Sequence, residues 1–360
     1  MMNTKRNILI ITLILSVLGI VMIYSSSYVW AEFKYGNAYK YVLQQAIFFI
    51  IGLFLLFFVS KVDYGFYKKY SNKFLFVCFI LLVLVLIPGI GMVRNGSRSW
   101  FGIGGFGIQP SEISKIGLII FVSKYLSNND NNKRYTFKFM FPILLVIFLF
   151  FLLILLEPDF GSGMVIVLSL IGLIFISGTN VSIFYKVGLL GIVGIVVLIL
   201  IAPYRMDRIT SFVNPWSDPL GSGFQMIQSM YAIGPGGLLG FGFLNSRQKH
   251  FYLPEPQTDF IFSIITEEFG FVGAFVIVSL FAYLFYNIIK VSLNTKDLFG
   301  KYLSFGLAFM LIFQTLLNLS VVVGLVPITG VTLPFISYGG SSLLTSFIMI
   351  GIILNISENK

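Results

Sequence analysis

The sequence predicts an all-α polytopic membrane protein, and three observations carry that prediction. Only 11% of its 360 residues are charged and 57% are apolar, whereas soluble domains carry about a quarter charged residues. The apolar residues gather in ten runs of about 15–22 residues, the length needed to cross a hydrocarbon core roughly 30 Å thick. The basic residues fall unevenly between those runs. Fifteen of the 24 lie on the side of the N-terminus, which the positive-inside rule makes cytoplasmic. The net charge of +10 is therefore a topology signal, and nucleic acid is excluded as a partner.

The predicted spans are Ile8–Tyr24, Val42–Ser60, Lys73–Gly91, Ile113–Leu126, Phe139–Leu156, Gly161–Ser177, Ile183–Ala202, Phe260–Ile289, Tyr302–Val323 and Gly339–Leu354. Both termini are then cytoplasmic, with Lys5, Arg6, Lys61, Lys133, Arg134 and Lys360 among the inner cations. One membrane domain covers residues 1–360, with a large extracellular loop, 203–258, between the seventh and eighth spans. The first apolar run ends in Tyr24-Ser25-Ser26-Ser27-Tyr28 without a small-x-small cleavage site, so no signal peptide is predicted. Cys78 and His250 each stand alone in the sequence. That excludes a disulfide framework, a thiolate or zinc cluster, and a Ser–His–Asp triad.

The polar material concentrates on the outer side. The stretch before the fourth span, RNGSRSWFGIGGFGIQPSEISK, reads as a glycine-rich loop carrying Arg94, Arg98 and Trp100. Pro110 suits a helix start, and Glu112 and Lys115, three residues apart, share a helix face and pair. Ionisable groups just inside a membrane face a cavity or a partner; the plain alternative is a structural salt bridge. Glu157-Pro158-Asp159 is a tight acidic turn that either joins an outer site or is an ordinary turn. The loop from Pro203 contains a predicted short amphipathic helix, Phe224–Ile233, with Gln225, Gln228 and Ser229 on its polar side. Arg205, Arg208, Arg247 and Lys249 are cations suited to phosphates, or to a merely solvated loop. The uncharged stretch Gly324–Tyr338 is broken by Pro327, Gly330 and Pro334, so at membrane depth it must line a cavity or be buried in protein.

The chain is organised around RQKHFYLPEPQTDFIFSIITEE, residues Arg247–Glu268, where a polar loop becomes an apolar helix. Pro254 and Pro256 should hold Leu253 and Glu255 extended, and Thr258 or Asp259 should cap the helix that follows. Run to Ile289, that helix would be roughly 46 Å long at about 1.5 Å per residue. Its first turns, with Asp259, Glu267 and Glu268, should then stand above the bilayer or in a wet cavity. Three carboxylates there suggest chemistry on a lipid-linked polar head group; the plain reading is a helix cap and two solvated glutamates.

These motifs resemble the SEDS family (shape, elongation, division and sporulation), whose members include RodA, FtsW and SpoVE. The resemblance rests on NGSRSW–IQPSEISK, NPWSDPLGSGFQMIQSMYAIGPGG, SRQKHFYLPEPQTDFIFSIITEE and PITGVTLPFISYGGSS, and covers nearly the whole chain. The NPWSDP and QKHFYLPEPQTDF wording looks more like the division and sporulation branch. The resemblance implies a ten-span peptidoglycan glycosyltransferase that polymerises lipid II at the outer face of the bacterial plasma membrane, releasing undecaprenyl pyrophosphate. It implies a class B penicillin-binding protein as transpeptidase partner, together with division or sporulation wall-synthesis proteins. The family's essential aspartate falls on Asp259, its loop tryptophan on Trp100, and the pair of its QPSE segment on Glu112 and Lys115. Members often carry a histidine before the TDF triplet; here Gln257 stands there, which argues against a histidine base.

The residues fit such chemistry in their own right. A base is needed for an acceptor hydroxyl, and cations for a departing pyrophosphate. Asp259 suits the first, and Arg98, Lys115, Arg205, Arg208, Arg247 and Lys249 suit the second. A helix N-terminus lowers a carboxyl pKa, so either burial or a neighbouring acid raises it again, or Asp259 binds a divalent cation such as Mg or Mn. Two other functions compete: a lipid II flippase, which needs polar residues through the whole bilayer, and a non-catalytic scaffold of the wall-synthesis machinery, which needs Asp259 only as a cap.

Overall fold

The computed structural model describes residues 2–94, 96–103, 106–128, 137–201 and 203–358. Lys133, Arg134 and Lys360, on which part of the basic asymmetry rests, lie outside the described residues. The chain is predominantly helical: α1 (Met2–Tyr35), α2 (Lys40–Ser60), α3 (Tyr64–Leu86), α4 (Pro110–Asn128), α5 (Phe137–Leu156), α6 (Phe160–Ile176), α7 (Val181–Ile201), α8 (Pro203–Val213), α9 (Phe224–Ile233), α10 (Ile261–Asn294), α11 (Leu298–Val322) and α12 (Gly340–Glu358). Among the described residues seven helices are long and apolar enough to cross a membrane: α1, α2, α3, α5, α10, α11 and α12. Two more apolar segments, α6 and residues Val181–Gly194 of α7, are shorter. α4 carries Glu112, Lys115 and Lys124 and buries most of its length between α3, α6 and α11.

α1 runs eleven residues beyond the expected Tyr24. The serine run does not stop it: Ser26 and Ser27 return their hydroxyls to the Ile23 carbonyl, at 3.3 and 2.6 Å, so their side chains are satisfied by the helix's own backbone. The glycine-rich stretch before α4 is not a loop but a small antiparallel sheet in the order β1 (Met92–Arg94), β2 (Ser97–Ile103), β3 (Phe106–Ile108). Its cue in the sequence was Asn95-Gly96, a hairpin dipeptide. β3 runs directly into the start of α4 and is fastened to α12 by Ser341, whose hydroxyl donates to the Gly107 carbonyl at 3.1 Å and accepts from the Gln109 amide at 3.0 Å. Helices close on one another where side chains are small: a Cβ at Gly306 of α11 would lie 2.6 Å from Ile119 of α4.

Three local expectations fail around α10. Glu255 is not extended but has φ +45°. Neither Thr258 nor Asp259 caps the helix: Phe260 occupies that position with no side-chain cap, and the Thr258 hydroxyl turns back to the Glu255 carbonyl at 2.9 Å. Nor is the helix continuous. Gly270, at φ +63° and ψ −159°, breaks it into two.

The break is filled by the Gly237–Gly242 turn. The carbonyls that end the first segment, Glu267 and Glu268, accept from the amides of Phe241 and Gly242 at 3.0 and 2.9 Å. The amides that begin the second, Phe271 and Val272, donate to Gly237 and Leu238 at 2.9 and 3.1 Å. Four of the groups orphaned by the break, two carbonyls and two amides, thus find partners, as an interior backbone requires. The α9 expectation also changes. Ser229 is buried, exchanging a hydrogen bond with Ser263 at 2.8 Å and donating to the Val322 carbonyl at 2.8 Å, so it belongs to the packed face and not to the polar one.

Gly270→Ala should therefore destabilise the protein by at least about 1–2 kcal/mol, the cost of a left-handed residue with a Cβ. That Cβ would also lie 2.5 Å from the Gly240 amide nitrogen. Gly191→Ala on α7, where a Cβ meets nothing within 4 Å, should be neutral or slightly stabilising. Melting temperatures of the two variants in detergent separate these outcomes.

Candidate active site

Asp259 sits in the turn just before α10, half-buried and held by its backbone. The Asn318 side-chain amide on α11 donates to the carbonyls of Asp259 and Val331, at 2.8 and 2.7 Å. Ser337 donates its hydroxyl to the Thr258 carbonyl at 2.7 Å, and the Tyr338 amide donates to Gln257 at 2.9 Å. The uncharged stretch after α11 is thus buried against this turn from Val331 to Ser337. Asp259 points toward Gly330: a Cβ there would lie 3.7 Å from Asp259 Oδ2. Among the described residues no hydrogen bond reaches the Asp259 carboxylate. Burial pushes it up to about 7; Glu255 and Asp159 add to the rise, and Arg208 opposes it. Arg208, on α8, donates to the Ile328 carbonyl at 3.0 Å, two residues from Gly330.

The second part of the cluster comes from α4 and α6. Asp159 caps α6, accepting from the Ser162 amide at 3.1 Å, and its other oxygen accepts from Gln109 Nε2 at 2.7 Å. Burial raises its carboxyl, partly offset by Ser162 and by the Lys115 charge. Lys115 donates to Glu112 Oε1 at 2.7 Å and to Gln314 Oε1 at 3.0 Å, and Thr345 donates to the other Glu112 oxygen at 3.1 Å. Both charged groups are buried and fully partnered, the condition under which an ion pair is tolerated away from water. Gln314 and Asn318 are one turn apart on one face of α11, so a single helix edge holds Lys115 and, four residues on, the Asp259 turn.

Sequence reasoning missed Gln109, Gln314, Asn318 and Thr345, which are uncharged and lie in apolar or ordinary-looking stretches. It left Asp159 open as a turn residue. Glu157 differs from Asp159. Its side chain is fully buried, no hydrogen bond reaches either carboxyl oxygen among the described residues, and burial pushes it up to about 9, with Asp159 adding to the rise.

The remaining candidates lie elsewhere. Lys249 is buried and pairs with Glu268 Oε1 at 2.8 Å, beside Ser25 of α1 and over the Tyr28 ring. Glu267 accepts from the Ser246 hydroxyl and from the amides of Arg247, at 2.8 Å, and Gln248. The two glutamates thus fold the loop; they are not solvated. The Arg247 guanidinium lies over Phe241, 4.8 Å from the ring centroid. Arg98 reaches back to the Leu86 carbonyl at the end of α3, at 3.5 Å. Trp100 on β2 stacks with Arg94 at 5.1 Å. The sheet is tied to the start of α12 by the Ser341–Gly107 bond, three residues past Tyr338, whose hydroxyl burial raises to about 12 against the opposing Arg94 charge. Arg205 is on α8, and its side chain lies outside the described part of the structure.

Chemically, the cluster offers a carboxyl poised near neutrality with its oxygens unclaimed, a second acid beside it, and cations on two sides. Among the described residues no three Asp, Glu, His or Cys side chains converge, so there is no all-protein metal cage; a divalent cation carried by a pyrophosphate needs only one or two protein carboxylates, and Asp259 would be the one to supply it.

Residues 5–360 match the model of the FtsW/RodA/SpoVE cell cycle proteins. The chain is 48% identical over 362 residues to Stage V sporulation protein E of Bacillus subtilis, covering 99% of both chains. It is 41% identical over 354 residues to a Coxiella burnetii protein named "Probable peptidoglycan glycosyltransferase FtsW", covering 97% of this chain and 95% of that one. Among solved structures, one described as "Structural coordination of polymerization and crosslinking by a peptidoglycan synthase complex" superposes with a TM-score of 0.78 at 29% identity, covering 98% and 97% of the two chains. The Thermus thermophilus rod shape determining protein RodA superposes with a TM-score of 0.73 at 25% identity, covering 98% and 96%.

The Lys249–Glu268 pair can be separated from the Asp259 cluster by stability. Lys249→Met strands a buried carboxylate and should cost about 3–5 kcal/mol, while Lys249→Met with Glu268→Gln should recover much of that loss. A double-mutant cycle on melting temperature reads the coupling.

Proposed function

The chain belongs to the FtsW/RodA/SpoVE family of cell cycle proteins, a multi-pass membrane peptidoglycan glycosyltransferase of cell division or sporulation, and we propose that Asp259 is the group on which its reaction turns. The observation that carries this is the state of the Asp259 carboxyl. Its backbone is fixed from two sides, its oxygens are unclaimed, and its pKa lies at about 7. General bases work best with a pKa near the working pH. The absence of a capping bond removes the alternative employment for this side chain.

The substrate is lipid II. Asp259 takes the proton from the acceptor sugar hydroxyl as its oxygen attacks the anomeric carbon of the donor. The bond from that carbon to the undecaprenyl pyrophosphate breaks, and the leaving group carries away the electron pair. Arg208 is the cation that acts most directly on Asp259 and is suited to the developing pyrophosphate charge. Lys115 is already balanced by Glu112, so it serves by holding the α4 edge of the site and setting the potential at Asp159. A displacement of this kind inverts an α-linked donor to a β-linked product, with no covalent sugar–enzyme intermediate.

We assign ten spans, adding α4, α6 and α7 to the seven long apolar helices, with both termini cytoplasmic and residues 203–258 on the outer face. The cluster around Asp259 is then extracellular, within one membrane domain spanning 1–360. The likeness to a chain of a peptidoglycan synthase complex supports a crosslinking partner, a class B penicillin-binding protein, among the division or sporulation wall-synthesis proteins.

Asp259→Asn keeps size and removes the base. It should leave the fold intact and lower lipid II polymerisation by about 10²-fold or more; a well-folded, active Asn variant sinks the assignment. Polymerisation by the parent should rise with pH through about 7 as the carboxyl ionises. Stability should run the other way. Between 3.8, the ordinary value, and about 7, the folded state holds a proton that the unfolded state has released, so stability falls as pH rises through that window. Asp259→Asn should be at least as stable as the parent at pH 8, as read by thermal unfolding.

Topology is read separately. Cysteines at Ser217 and Lys296, both exposed, should react with an impermeant thiol reagent from outside only and inside only, respectively.

A further inference from the structure

The two sides of α3 have different surroundings. Ser71, Cys78, Leu82 and Val85 are buried against the protein. On the opposite side Lys69, Lys73, Phe76, Ile80 and Val83 are exposed in one stripe at helical spacing. Most of that stripe is an ordinary lipid-facing surface. Its inner end is not, because it stops in two cations that the reaction described so far does not use. The apolar run of this span starts at Lys73. In the topology assigned above, Lys73 therefore stands at the inner hydrocarbon boundary, and Lys69 lies one turn further into the headgroup layer.

A third cation reaches the same turn. Lys124, near the end of α4, donates to Asn72 Oδ1 at 3.3 Å, and Asn72 directly precedes Lys73. The ammoniums of Lys69 and Lys73 lie 5.4 and 5.6 Å from the Tyr70 ring centroid, within cation–π reach of one ring. Among the described residues none of these three lysines pairs with a carboxylate. Asp63, the acid nearest to them in sequence, is spent as the cap of α3, accepting from the Gly65 amide at 2.7 Å. Like charges one turn apart on a helix repel, so an anion among them is stabilising. Other inner lysines are placed differently: Lys68 turns away to Phe299 of α11, and Lys290 lies over Tyr286 of its own helix.

We propose that the inner ends of α3 and α4 hold one anionic phospholipid, its phosphate among Lys69, Lys73 and Lys124 and an acyl chain along Phe76, Ile80 and Val83. The occupant is a lipid because the cations run directly into an exposed apolar stripe, which a soluble anion would leave bare. Its net charge is negative because a zwitterionic headgroup would bring its own cation against three that have no acid. Lysines at the cytoplasmic end of a span attract anionic headgroups in general; convergence from two helices makes this place a site. The bound lipid braces α3 against α4. The two helices approach closely at Gly117, where a Cβ would lie 2.7 Å from Cys78 Sγ, and α4 carries Glu112 and Lys115 at its outer end. The site neither needs nor supports the glycosyltransferase reading.

The test uses the full-length protein purified in detergent and titrated with phosphatidylglycerol or phosphatidylcholine of the same chain length. Bound lipid is counted by native mass spectrometry, and melting temperature is followed in parallel. The parent should bind phosphatidylglycerol at least about fivefold more tightly than phosphatidylcholine, and its melting temperature should rise with the former, since a ligand of the folded state stabilises it. Each lysine removed should weaken phosphatidylglycerol about fivefold. Lys124→Gln should thus lose about that much, and Lys69→Gln with Lys73→Gln should lose the preference altogether. Lys186→Gln with Lys290→Gln removes the same charge from α7 and α10 and should bind as the parent does. Melting temperatures in phosphatidylcholine certify the fold of each variant, and Lys124→Gln alone decides if the double variant fails to fold. Equal binding of the two lipids by the parent overturns the proposal. An equal loss in the Lys186 and Lys290 variant also overturns it, leaving only a diffuse surface charge. Displacement of the lipid by an equal concentration of free glycerol phosphate does so too, since the site would then be one for soluble anions.

Discussion

The site depends on the Asn318 side-chain amide more than on any charge. Its two hydrogens go to the carbonyls of Asp259 and Val331, tying the turn before α10 to the irregular stretch after α11. Both segments expose backbone carbonyls in a part of the chain flanked by apolar helices, where an unpaired carbonyl is costly. One amide satisfying both fixes them to each other and to α11. Because the bonds are made to backbone, the Asp259 side chain stays unclaimed. A site that gripped the carboxylate itself would have held it more firmly but lowered its pKa.

The same economy appears at the break in α10. A continuous helix would have carried Glu267 and Glu268 as ordinary helix residues. Gly270 ends the first segment instead, and the Gly237–Gly242 turn wedges in and satisfies the backbone groups at both new ends. The two glutamates then face the loop and fold it: Glu267 gathers the amides of residues 247 and 248, and Glu268 neutralises the buried Lys249. Three carboxylates within ten residues thus do two different things. The Asp259 carboxylate is left without a hydrogen-bond partner among the described residues; Glu267 and Glu268 shape the wall.

Electrostatically, acids and bases offset one another here, and the outer site is not a positive funnel. Lys115 is cancelled by Glu112, Lys249 by Glu268, and Arg208 shares a cavity wall with Asp207 and acts on Asp259 against the Glu255 charge. Burial is the leading cause of the raised pKa at Asp259 and at Asp159, so the low-dielectric setting, more than any single partner, holds both carboxyls above the ordinary range.

The sequence by itself determined the class of protein, the family, and the stretch that matters. Composition and the length of apolar runs are local properties, and they survive into the structure as long helices because lipid-facing segments have no other way to satisfy their backbone. The i,i+3 pairing of Glu112 and Lys115 was legible for the same reason, since both partners share one helix. The rest was decided by tertiary structure. Where the Asp259 turn sits and whether α10 was continuous turned on partners about 20 or more residues away: Asn318, Ser337 and the Gly237–Gly242 turn. The uses of Gln109, Gln314 and Thr345 were invisible because an uncharged amide or hydroxyl in an apolar run looks the same whether it bonds its own helix or a distant side chain. Lys249 read as a phosphate cation until its partner appeared nineteen residues on and its charge proved to be already spent. Charge can be counted along a chain, but whether a charge is free is a property of the fold.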